Sequence, residues 1–166
     1  MNANNREEKH ILSLTVDNEP GVLSRITGLF SGRGFNIESL CVAETADPHV
    51  SRITLVTKGD IGVVEQIKKQ LNKLVNVIKV VEFTGMAYVE REMALIKVHA
   101  KPENRAEILR MVDIFRCRIV DVGVEFYTVE VTGDEGKIMA FLNLLKPMGI
   151  KEIARTGAIA LAREKQ

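Results

Sequence analysis

The chain has no tryptophan, two tyrosines, six phenylalanines, two cysteines and three histidines in 166 residues, and charge of neither sign dominates it. Each shortage removes a class of function. A sheet that reads RNA needs aromatic rings on its central strands for base stacking, and a basic face. The two predicted strands that would supply them carry Leu12, Leu14, Val16, Ile53, Leu55 and Val56 instead. Lysine and arginine number 23 against 22 acidic residues, net +1, so no electrostatic reason exists to expect nucleic acid or an anionic membrane as partner. No apolar run reaches the length of a membrane span, and the polar opening MNANNREEK lacks the apolar centre of a signal peptide, so a cytoplasmic protein is expected. Cys41 and Cys117 fall one in each half and form no disulfide framework; they are expected as buried thiols in a reducing compartment. His10, His49 and His99 sit on or beside different predicted strands without ligand spacing, which gives no metal site and three exposed or edge side chains. No nucleophile elbow, phosphate-binding loop or dinucleotide fingerprint occurs, since Gly32 and Gly34 follow a helix instead of opening one. Glu38 and Ser39 are neighbours on a strand and face opposite sides of it, and Cys41 has no base beside it. No catalytic residue is assigned.

What is present is a repeated pattern of short elements. Leu12, Leu14 and Val16 alternate as a half-buried strand, and Leu23, Ile26 and Phe30 follow with helical spacing, ended by Gly32 and Gly34. Phe35 to Ala43 reads as a second strand, Arg52 to Lys58 as a third, and Asp60 caps a helix with Val64, Ile67, Leu71 and Leu74 on one face before a fourth strand, Val77 to Phe83. Met93 to Val98, a helix marked by Ile108, Met111, Val112 and Phe115, and strands at Arg118 to Val122 and Phe126 to Val131 repeat the order. Asp60, Gly62, Val64, Ile67 and Leu71 fall against Asp134, Gly136, Ile138, Phe141 and Leu145, all 74 positions on (134 − 60). The expectation is an α+β chain of two tandem ferredoxin-like βαββαβ domains, 9–84 and 92–163, joined by a linker at 85–91.

The chemistry in this pattern concentrates in NEPGVLSRITGLFSGRGFNIESL, Asn18 to Leu40. Pro20 suits the first turn of a helix, Asn18 and Glu19 are placed to cap it, and Gly21 leaves the backbone bare. The first amides of such a helix have no partner within it and sit at the positive end of its dipole, a place for a small carboxylate. The second half offers Ala100-Lys101-Pro102-Glu103-Asn104 at the matching point, without the glycine and with Glu103 set to repel an anion, so a ligand site is expected only in the first domain.

The same stretch resembles the opening of an ACT domain, and RGFNIESL, DPHVSRITLVTKGD, KQLNKLVNVIKV, VERE with ALIKV, EILRMVDIFRCRIVDV and GIKEIARTGAIALAR resemble, in order, the regulatory small subunits of acetolactate synthase. The resemblance runs from about Lys9 to Arg163; Cys41 stands where Thr is expected. It implies that the first domain is an ACT domain and that the chain is a non-catalytic homodimer. It would activate a large catalytic subunit carrying thiamine diphosphate, Mg²⁺ and usually FAD, none of which binds to this chain. It would also confer feedback inhibition by a branched-chain amino acid, most often valine, in valine, leucine and isoleucine biosynthesis. The effector residues it implies are Asn18, Gly21, Val22, Leu23, Asn36 and Ile37. The carboxylate would rest on the amides from Gly21 to Leu23, the ammonium against the side-chain carbonyls of Asn18 and Asn36, and the aliphatic group near Val22, Leu23 and Ile37.

Overall fold

The computed structural model describes residues 8–164. The chain divides into two units: one runs to Val89 and takes in the segment from Ile159, and the other is Glu90–Ala158.

The first unit contains β1 (Glu8–Asp17), α1 (Val22–Ser31), β2 (Ser39–Glu44), β3 (Val50–Gly59), α2 (Ile61–Leu71) and β4 (Val77–Glu82). Its strands form one antiparallel sheet in the order β2-β3-β1-β4. Alternation along β1 and β3 sends Leu12, Leu14, Val16, Ile53 and Leu55 to one face, where they bury themselves against Val22, Ile26 and Phe30 of α1 and Val64, Ile67 and Leu71 of α2. Leu74, expected on α2, lies beyond its end and still packs on this core.

The second unit repeats the plan with β5 (Tyr88–His99), α3 (Arg105–Ile114), β6 (Arg118–Val122), β7 (Phe126–Gly133), α4 (Glu135–Leu145), a short 3₁₀ turn at Lys146–Met148 and β8 (Ile150–Arg155). The strand order, β6-β7-β5-β8, is the same. Ala94, Ile96, Val98, Val129 and Val131 meet Ile108, Val112, Ile138, Phe141 and Leu145 in its core. The last strand, β9 (Ile159–Ala162), pairs with β5, whose first two residues share its unit.

Both units are therefore the α+β, ferredoxin-like arrangement expected from sequence, and the copies agree in detail. Asp60 accepts from the Val63 amide and Asp134 from the Lys137 amide, each at 2.8 Å, while Val64, Ile67 and Leu71 are as fully buried as Ile138, Phe141 and Leu145. The exits of the first helices match too. Gly34, with φ 70°, is the left-handed residue of a Schellman motif in which Phe35 N–H reaches Phe30 O at 3.0 Å and Gly34 N–H reaches Ser31 O at 3.1 Å. In the second unit Cys117 N–H reaches Val112 O at 2.8 Å and Arg116 N–H reaches Asp113 O at 3.0 Å, with Arg116 at φ 52°. This exit turn consumes Phe35 and the residues after it, so β2 begins at Ser39 and not at Phe35.

Three expectations on single residues are corrected. His10 is 1% exposed, not an edge side chain: its Nε2 faces Gly59 O and its Nδ1 faces Glu82 Oε1 and Thr84 Oγ1. Cys41 and Cys117 are half-buried where full burial was expected. Among the described residues no helix is long and apolar enough to cross a membrane, and no group of three or more His, Cys, Asp or Glu is arranged to hold a metal ion.

Candidate functional site

The loop between β1 and α1 is a turn before it is a helix. Val22 N–H bonds to Glu19 O at 3.3 Å, and Gly21 between them has φ 86° and ψ −9°, the values of the third residue of a type II turn with Pro20 second. Pro20 therefore precedes the helix instead of opening its first turn. Gly21 is required for its left-handed backbone, although a Cβ there would meet nothing within 4 Å. No side chain caps α1: Asn18 and Glu19, expected as caps, are engaged elsewhere. The turn has taken the Val22 amide, and Arg25 N–H already reaches Gly21 O at 3.0 Å, so the amides left without an intrahelical acceptor are those of Leu23 and Ser24.

Asn18 is anchored beside them. Its backbone N–H donates to His49 O and its Nδ2 donates to Pro48 O, both at 2.8 Å, which leaves Oδ1 as the acceptor on offer. Asn76 holds the same loop from the other side: its carbonyl accepts from Asp17 N–H, its Nδ2 donates to Asp17 and Glu19, and its Oδ1 accepts from Arg25. The Glu19 carboxylate is thus held by an amide donor.

Of the six residues singled out in the sequence, four lie at this end. Gly21 and Leu23 are exposed with Asn18, but Val22 points into the core at 4% exposure and offers only backbone. Asn36 and Ile37 are elsewhere. Asn36 C=O accepts from Thr57 Oγ1 at 2.7 Å, whereas Asn18 is tied to the residues just before Val50. From Val50 to Thr57 strand β3 runs about 23 Å, so the chain puts Asn18 and Asn36 at opposite ends of one sheet. Asn36 Nδ2 donates to Glu38 Oε1 at 2.8 Å, and that bond, with Lys58 beyond it, holds the Glu38 carboxyl below its ordinary range. Ile37 is half-buried against the core.

The matching loop of the second unit is filled by its own side chain. Ala100 N–H bonds Glu125 O as Asn18 N–H bonds His49 O, and Arg105 donates from Nε to Ala100 O at 2.9 Å and from Nη2 to Val124 O at 2.8 Å. Arg105 was not singled out in the sequence, because nothing in its spacing shows that a residue on α3 folds back over the loop.

With this geometry in place, the comparisons with known proteins are specific. A family model described as an AHAS small subunit-like ACT domain matches residues 12–79, and one described as the small subunit of acetolactate synthase matches 91–164. The acetolactate synthase small subunit of Aquifex aeolicus is 52% identical over 158 residues, covering 94% of this chain and 82% of the relative. That of Mycobacterium bovis is 49% identical over 154 residues, covering 93% and 92%. The crystal structure of the acetolactate synthase small subunit of Thermotoga maritima superposes with a TM-score of 0.88 at 45% identity, over 96% of this chain and 99% of that one.

Proposed function

The chain belongs to the acetolactate synthase small-subunit family, and we propose that it is the non-catalytic regulator that activates the catalytic large subunit and makes it sensitive to a branched-chain amino acid, valine first. The observation that carries the effector site is the pair of unaccepted amides at Leu23 and Ser24 behind the Pro20–Gly21 turn, with the Asn18 acceptor alongside. An amino-acid carboxylate on those amides gains charge-assisted hydrogen bonds and the helix dipole, and an ammonium group needs an acceptor such as Asn18 Oδ1. The aliphatic side chain meets Leu23, exposed at the same end.

Asn36 joins the site from a second copy. One chain separates it from Asn18 by the length of β3, so a ligand that uses both must lie between two chains. Strand β2 ends the sheet order and exposes Val42, and it is there that two sheets would join. Thiamine diphosphate, Mg²⁺ and FAD are assigned to the catalytic partner. Effector binding shifts that partner only through a difference in affinity between its two states, so the effector site and the gripping surface are separable.

Reconstitution with the purified catalytic subunit tests this. The wild-type chain alone forms no acetolactate, stimulates the added subunit, and confers inhibition by valine. Asn18→Ala and Asn36→Ala each weaken valine binding by about 10- to 150-fold, the loss of a hydrogen bond to a charged group. Gly21→Asp, which sets a carboxylate against the α1 amides, removes inhibition and leaves stimulation. A wild-type chain that neither stimulates nor confers sensitivity to valine, leucine or isoleucine refutes the proposal.

A further inference from the structure

Besides the side-chain bond to Glu38, Asn36 is held by a bond from the core. Thr57 is fully buried on the helix-facing side of β3, and its hydroxyl donates to Asn36 C=O at 2.7 Å, fixing the turn from which β2 departs. Across the ladder from Thr57 stands His10, also buried, but the ring nitrogens of His10 are taken up by Gly59, Glu82 and Thr84. A hydroxyl in a core costs free energy unless it is bonded, and here its acceptor is Asn36.

The second copy of the fold shows what this place needs for folding alone. The residue 74 positions on from Thr57 (131 − 57) is Val131, and its ladder partner, where the first unit has His10, is Ala94. Both are buried apolar residues in the same position on the sheet. The same fold is therefore also built with Val and Ala at these two places, and the polar pair occurs in the unit that carries Asn36.

We infer that Thr57 is a positioning residue for the effector site, setting Asn36 through its backbone carbonyl; the inference rests on the reading of Asn36 as an effector ligand. The Thr57→Val chain carries the residue of the second unit and exchanges the hydroxyl for a methyl group. Isothermal calorimetry with valine and the full-length chain is the test. Thr57→Val weakens binding about three- to tenfold, the value of one hydrogen bond, and Thr57→Ser restores it. In the Asn36→Ala chain, Thr57→Val has no further effect, because the side chain it positions is gone. Wild-type binding by the Thr57→Val chain, or an equal further loss in the Asn36→Ala background, overturns the inference while the wild type still binds. No binding by the wild type overturns the functional reading together with it. Thermal unfolding of each variant accompanies the titrations, and Thr57→Ala removes the same hydroxyl if Thr57→Val does not fold.

Discussion

Glu82 shows how a residue outside the ligand loop ties stability to pH. Its burial pushes its pKa up, but hydrogen bonds from Lys68 and Thr84, the Lys68 charge and the His10 ring win, and the carboxyl is held below its ordinary 4.5. Lys68 bridges Glu82 and Glu65 of α2, and those two hydrogen bonds, Glu65 first, raise its own pKa against the cost of burial. A carboxyl whose pKa is lowered on folding contributes stability above its unfolded value, and that contribution is lost as pH falls through the lower, folded one. Glu82→Gln should therefore cost about 1 kcal/mol at neutral pH, and the gap to wild type should close below about pH 4.5 in urea titrations. A gap that persists at acid pH would assign the effect to packing. Single residues were the least legible scale in the sequence. His10 reads as an edge histidine in the sequence because its three partners come from Gly59, Glu82 and Thr84, far along the chain. Val22 and Leu23 are equally apolar neighbours in the sequence, and only the entry turn decides that Val22 enters the core and Leu23 stays exposed.

At the scale of elements the sequence was explicit wherever a local rule sets the geometry. Asp60 and Asp134 cap α2 and α4 with the same bond, and the match 74 positions apart that joins them comes from a shared core face. Entry to α1 was misplaced by a step because Pro-Gly satisfies two rules at once, a first helical turn and a type II turn; the φ of 86° at Gly21 selects the second. The helix exits carry a testable asymmetry. Gly34 and Arg116 play the same part, but arginine pays for a left-handed backbone that glycine adopts freely. Arg116 is exposed, and its backbone amide is the only group of the residue the motif uses, donating to Asp113 O. Replacing it by glycine should raise stability by about 0.5–1 kcal/mol, measured as a higher urea midpoint with unchanged slope. The reciprocal change, Gly34→Arg, should lower stability by a similar amount.

For the whole molecule, duplication was legible, and the layout of the proposed effector residues was legible only in part. The pattern placed a ligand in the first unit and none in the second, and Arg105 now gives a stronger reason than Glu103 for the difference, since it fills the matching loop. The pattern could not reveal that Asn18 and Asn36 diverge, because they are only eighteen positions apart in sequence (36 − 18) and α1 carries the chain from one end of the sheet to the other between them. That divergence yields a test that separates a site within one chain from a site between two. In a mixed dimer of an Asn18→Ala chain with an Asn36→Ala chain, a shared site pairs Asn18 of one protomer with Asn36 of the other. One of the two sites then lacks both asparagines, and the other has both intact. Sites confined to single chains would each lack one. Co-expression with two affinity tags isolates the mixed dimer, and calorimetry should find half the wild-type number of valine sites at wild-type affinity, where either variant alone binds about 10- to 150-fold more weakly. Uniformly weakened binding in the mixed dimer would overturn the shared site, and wild-type affinity of the Asn36→Ala chain alone would remove Asn36 from it.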